Sequence, residues 1–135
     1  MSVFVDTSGI LSVLDADDAG HGATFPSWRT AIEEGEGLVS TNYVTVETAA
    51  LVQRRLGMEA MRTFVDEILP MIDTVWVTEA DHHAGLSALL AAGRRRLSLV
   101  DCVSFVVMRR LGIRDYLGLD THFAEQGFRQ YTARV

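Results

Sequence analysis

Lysine is missing from these 135 residues; all 12 cationic side chains are Arg. That absence excludes Schiff-base catalysis, which needs a Lys amine. It equally excludes a nucleotide site of the Gly-Lys-Ser/Thr type. Cysteine is nearly absent: Cys102 stands alone, so there is no disulfide framework and no thiolate zinc cluster. A chain of that kind suits a reducing compartment, and Cys102, inside an apolar stretch, is expected to be a buried core thiol. No apolar run approaches 18 residues, and no charged segment followed by an apolar one precedes the first predicted strand. A membrane span or export is therefore not indicated, and a cytoplasmic location is expected.

Positive charge is also in deficit. The net charge of −6 argues against binding nucleic acid through bulk electrostatics. The average hides an asymmetry, because residues 1–93 carry −10 and residues 94–135 carry +4. The C-terminal third could still meet phosphates, with Arg94-Arg95-Arg96 its densest cluster. Hydrophobic residues make up 48% of the chain, enough for one domain with a sizeable core and some apolar surface left for a partner.

Short apolar runs alternate with helical patterns. Strands are expected at residues 2–5, 38–41, 74–77 and 116–119, with a possible edge strand at 129–132. Helices are expected at 8–14, 27–34, 43–55, 59–69, 79–91 and 99–111, the break at Gly57 and the stop at Pro70 included. Strands this short and apolar, interleaved with helices, imply a parallel sheet covered on both faces. Ligands in such sheets bind beyond the carboxyl ends of the strands.

Four acids occupy positions that are hard to justify structurally. Asp6 and Asp120 close the first and fourth strand patterns; Glu47 and Asp101 lie near the start of apolar helices. Each has a bland alternative. Asp6 could cap the following helix, although Thr7 could serve instead. Glu47 shares a face with Val44 and Leu51, where an uncompensated carboxylate costs several kcal/mol unless it sits at the face boundary. Ser98 and Asp101 fit a capping box, a role that leaves one carboxylate oxygen free. Asp120 could belong to a turn. His122 could be a ligand, although a lone loop histidine reads first as a hydrogen-bonded packing residue, and His82 and His83, about 100° apart on a helix, read as surface residues. Four anions at one sheet end would repel one another, raising at least one carboxyl pKa, unless a dication sat among them. Receiver domains and haloacid-dehalogenase-like phosphatases also place an Asp after the first strand, but they rely on a lysine that is missing here.

Asp6-Thr7-Ser8, Glu47, Leu99-Val100-Asp101-Cys102-Val103-Ser104-Phe105 and Leu119-Asp120-Thr121-His122-Phe123 with Gly127-Phe128 resemble, in order, the motifs of PIN-domain ribonucleases. The resemblance runs nearly end to end, and the length is that of bacterial VapC-type toxins. It implies a three-layer α/β/α sandwich with a central parallel sheet. It assigns Asp6, Glu47, Asp101 and Asp120 to acidic metal-binding and catalytic positions, with Ser8 auxiliary. It further implies Mg²⁺- or Mn²⁺-dependent RNA hydrolysis leaving 5′-phosphate and 3′-hydroxyl ends, a homodimer, and a cognate antitoxin that covers the site. Arg94, Arg95 and Arg96 are candidate RNA contacts. A housekeeping nuclease of the same fold, or a binding module without turnover, are the alternative readings.

Overall fold

The computed structural model describes residues 1–133. Five parallel strands form one sheet: β1 (Ser2–Val5), β2 (Gly37–Thr41), β3 (Asp73–Val75), β4 (Asp115–Leu117) and β5 (Arg129–Gln130), in the order β3-β2-β1-β4-β5. Val3 pairs with Leu38 on one side and Asp115 on the other, so β1 is central. The helices are α1 (Thr7–Leu14), α2 (His21–Glu33), α3 (Asn42–Leu56), α4 (Met58–Thr63), α5 (Glu79–Ala92), α6 (Leu99–Leu111) and α7 (Thr121–Glu125). They flank the sheet as a three-layer α/β/α sandwich. Val3, Phe4 and Val5 are almost wholly buried, as a central strand covered on both faces requires.

The strand order fixes where a site can form. The chain runs outward from β1 through β2 to β3, then returns across the sheet to place β4 on the other side of β1. The carboxyl ends of β1 and β4 therefore flank the topological switch, where the following connections diverge and leave a crevice. Asp6 N–H donates to the Leu117 carbonyl (3.3 Å), and the Leu119 N–H donates to Ser8 Oγ (2.8 Å), closing the floor of that crevice.

Helix ends follow the expected chemistry. Ser98 and Asp101 form a reciprocal capping box on α6, as do Thr78 and Asp81 on α5. Both helices stop at a left-handed glycine, Gly93 (φ 61°) and Gly112 (φ 70°). Helix α6 is the buried central helix, with Cys102, Val103, Phe105, Val107 and Met108 inaccessible. It packs against α5 at Gly85, where an added Cβ would stand 2.4 Å from Val103 Cγ2.

Several boundaries differ from expectation, each for a local reason. Strand β3 ends at Val75 because the Val77 N–H turns to the Asn42 side chain (2.7 Å). Strand β4 ends at Leu117 because Leu119 N–H is taken by Ser8, so Asp120 stands three residues beyond the strand. The helix expected over 59–69 is α4 followed by a π turn, Phe64–Ile68, and a 3₁₀ turn, Leu69–Met71. Pro70 lacks an N–H and would clash with the preceding turn of a regular α-helix. Helix α2 begins at His21 and carries Pro26 inside its second turn.

Candidate metal centre

Three aspartates each cap a helix with one oxygen and keep the other free. Asp6 has extended backbone and is itself the N-cap of α1; Thr7, the alternative cap, is already helical. Asp6 Oδ1 accepts from Gly9 N–H and Ser8 Oγ, both at 2.8 Å, and no donor among the described residues reaches Oδ2. Asp101 Oδ2 accepts from Ser98 N–H (3.2 Å), and no donor among the described residues reaches Oδ1. Asp120, the N-cap of α7, accepts from His122 N–H at Oδ1 (2.9 Å) and likewise keeps Oδ2 open. Capping thus fixes each carboxylate rigidly on a helix terminus without exhausting its acceptor capacity.

All four sequence-predicted acids line one cleft of about 320 Å³, together with Ser8, Ser98 and Ser104. Glu47 enters from the side of α3, half-buried above Val44, which is fully buried. Burial pushes the Asp6 carboxyl up to about 7, with Asp120 and Asp101 adding to the rise and the Gly9 and Ser8 hydrogen bonds opposing it. Asp101 is pushed up to about 6, again first by burial and then by the charge of Asp120. The expected repulsion is present, yet desolvation is the larger cause in both. The carboxylates perturb one another less than the apolar floor beneath them does.

His122 is the residue that sequence reasoning set aside. Its Nδ1 is buried, 2.8 Å from Asp120 Oδ1 and 3.9 Å from Asp101 Oδ2, yet it makes no directed hydrogen bond. Donor atoms of Asp101, Asp120 and His122 all lie within 4.8 Å of one another. Gly118 was missed as well: a Cβ there would sit 2.0 Å from Asp6 Oδ1, so only glycine lets the chain leaving β4 pass the carboxylate. A glycine closing a strand pattern is a signal of such close approach. His82 is half-buried rather than fully exposed, its Nδ1 meeting the Tyr43 hydroxyl.

The arginine cluster divides. Arg94 is tied to Glu125 at 2.6 Å, bracing α7, which carries His122. Arg95 and Arg96 are exposed.

Free carboxylate oxygens in a desolvated cleft, beside a buried nitrogen lacking a hydrogen-bond partner, form a donor set suited to a hard divalent cation. Neither thiolate nor paired imidazole contributes. Residues 3–128 match the PIN domain family, and the chain belongs to it. Within that family it is 32% identical over 127 residues to the 23S rRNA-specific endonuclease VapC20 of Mycobacterium tuberculosis, covering 93% of this chain and 95% of that one. The crystal structure of M. tuberculosis VapC20, described as a Sarcin-Ricin loop cleaving toxin, superposes with a TM-score of 0.86 at 29% identity, covering 97% and 99% of the two chains. FitAcB from Neisseria gonorrhoeae shares the fold, with a TM-score of 0.69 at 14% identity over 96% of each chain.

Proposed function

We propose that this protein is a VapC-type endoribonuclease toxin that hydrolyses RNA phosphodiester bonds with Mg²⁺ or Mn²⁺, and that Asp6, Glu47, Asp101 and Asp120 form its catalytic centre. The observation that carries the proposal is the convergence of these acids, 114 positions apart at the extremes, on one cleft at the switch between β1 and β4. Kinship with an rRNA-cleaving toxin over nearly the whole length supports RNA as the substrate.

Asp6, Asp101 and Asp120 would hold the cation through lone pairs that capping leaves available, with Glu47 completing the anionic wall. Ser8 positions Asp6 by donating to its Oδ1. When bound there, a cation would supply positive charge against the phosphoryl group and ease ionisation of a water. The protein's part is rigid placement of its acceptors. Arg95 and Arg96 stand free to meet the RNA backbone, whereas Arg94 contributes by bracing α7.

A homodimer and a cognate antitoxin complete the reading. Val46, 69% exposed, and Trp76, 73% exposed, are apolar surface that a partner would cover. An antitoxin arginine placed in the cleft would satisfy the carboxylates in place of the cation. No helix of the described residues is long and apolar enough to cross a membrane, in keeping with a cytoplasmic site of action.

The test is cleavage of ribosomal RNA by purified protein. Activity with Mg²⁺ or Mn²⁺ that EDTA and Asp6→Asn abolish is the expected result. Cleavage that persists in Asp6→Asn, or none with either metal, would contradict it. Growth arrest on expression, relieved by a co-expressed small partner, separates a toxin from a housekeeping nuclease.

A further inference from the structure

We infer that His122 is a nitrogen ligand to the catalytic cation, so that this centre discriminates in favour of Mn²⁺ over Mg²⁺. The inference rests on the metal-dependent nuclease reading and deepens it. His122 occupies the second position of α7, its ring turned toward the carboxylates that close the cleft. Nδ1 lies 2.8 Å from Asp120 Oδ1 and 3.9 Å from Asp101 Oδ2, spacings that neighbouring donors on one cation can adopt.

The protein alone gives Nδ1 no aligned hydrogen bond, although the atom is shielded from solvent. Asp120 Oδ1 stands 2.8 Å away, close enough for an ion pair but out of line for a hydrogen bond. The donor atoms of Asp101, Asp120 and His122 all lie within 4.8 Å of one another, so one cation would reach the imidazole lone pair and the carboxylate oxygens together.

Ligand chemistry then sets the preference. Mg²⁺ holds to oxygen donors and near-ideal octahedral geometry, whereas Mn²⁺ accepts carboxylates and stands higher in the general order of affinity for nitrogen-containing sites. The acids alone would serve either ion. The imidazole tips the balance.

The experiment is pulsed EPR on the full chain loaded with Mn²⁺, without RNA, using natural-abundance protein and protein labelled with ¹⁵N-histidine. The expected result is a directly coordinated ¹⁴N coupling that the label converts to ¹⁵N. Parallel titrations should show Mn²⁺ bound at least tenfold more tightly than Mg²⁺. His122→Asn, which presents an amide oxygen near the Nδ1 position, should lose the coupling and narrow the ratio to a few-fold. Bound Mn²⁺ with no nitrogen coupling, or a coupling unchanged by the label, overturns the inference while leaving the nuclease reading intact. Failure to bind either metal contradicts the nuclease reading itself. The labelling arm needs no substitution, so the test stands even if the variant folds poorly.

Discussion

At the scale of single residues, the cleft opposes stability to function. Asp6 is buried with a carboxyl raised to about 7, against an ordinary value of 3.8. Because the folded state binds this proton more tightly than the unfolded chain, its contribution is fully favourable below pH 3.8. It is lost as pH rises through about 7. Asp6→Asn keeps an acceptor for Gly9 and removes the buried charge. Without metal at pH 8, that variant should therefore be more stable than the native protein by roughly 2–4 kcal/mol, and inactive. Denaturant unfolding should show the gap closing near pH 4, and a native protein equally stable at pH 8 would contradict the account. Saturating Mn²⁺ should raise the native Tm more at pH 8 than at pH 5, since only the ionised carboxylates bind it.

Asp81 shows the opposite design. It is as inaccessible to solvent as Asp6 but lies nearer the periphery, where Arg110 grips both oxygens at 3.1 and 2.8 Å and holds its carboxyl below the ordinary range. Its contribution is present above the unfolded pKa and fades as pH falls. Arg110→Ala should cost about 2 kcal/mol by calorimetry, less than a fully buried pair, because Arg110 stays partly exposed. Activity per folded molecule should be unchanged.

Among the elements, helix termini carry the site. Helices α1, α6 and α7 each begin on a cleft aspartate or, for α6, three residues before it, so the acids move only if a helix moves. The chain just beyond β4 makes room for them at Gly118, where an added Cβ would strike Asp6 Oδ1. Gly118→Ala should displace that carboxylate and lower activity at least tenfold, at a stability cost of about 1–3 kcal/mol. Gly85→Ala, which meets Val103 where α5 packs on α6, should cost a similar amount of stability and leave activity intact. Cleavage rates beside denaturation midpoints for the two variants distinguish a site glycine from a packing glycine.

This is also the scale at which the sequence was most and least legible. Alternation of short apolar runs with helical patterns announced the parallel sheet, and the Ser98–Asp101 box and glycine stops gave helix ends correctly. Boundaries at β3 and β4 escaped because Asn42 and Ser8, distant in sequence, capture the N–H groups that would have extended them. That Asp6, Glu47, Asp101 and Asp120 line one cleft was legible because each acid ends or opens an apolar pattern. The sequence left His122 between ligand and packing residue, since a loop histidine acquires meaning only from where its ring is aimed. The cause of the pKa shifts was partly misjudged for a related reason: burial depth is a property of the fold, not of spacing.

For the whole molecule, charge distribution sets how substrate is met. An acidic cleft repels RNA, so the basic C-terminal third must supply the attraction. Replacing Arg95 and Arg96 with Gln should weaken RNA binding and flatten its salt dependence by about 0.7 for each phosphate no longer neutralised. Binding measured across a salt series checks this, and an unchanged slope would remove these arginines from the RNA surface.

The central claim concerns where a dication settles. Crystals soaked in Mn²⁺ and measured at a wavelength that excites its anomalous scattering would locate the ion directly. The account predicts a peak bounded by Asp6, Asp101 and Asp120 in the cleft beneath Glu47. An empty cleft at saturating Mn²⁺, or a peak bound elsewhere on the surface, would contradict it.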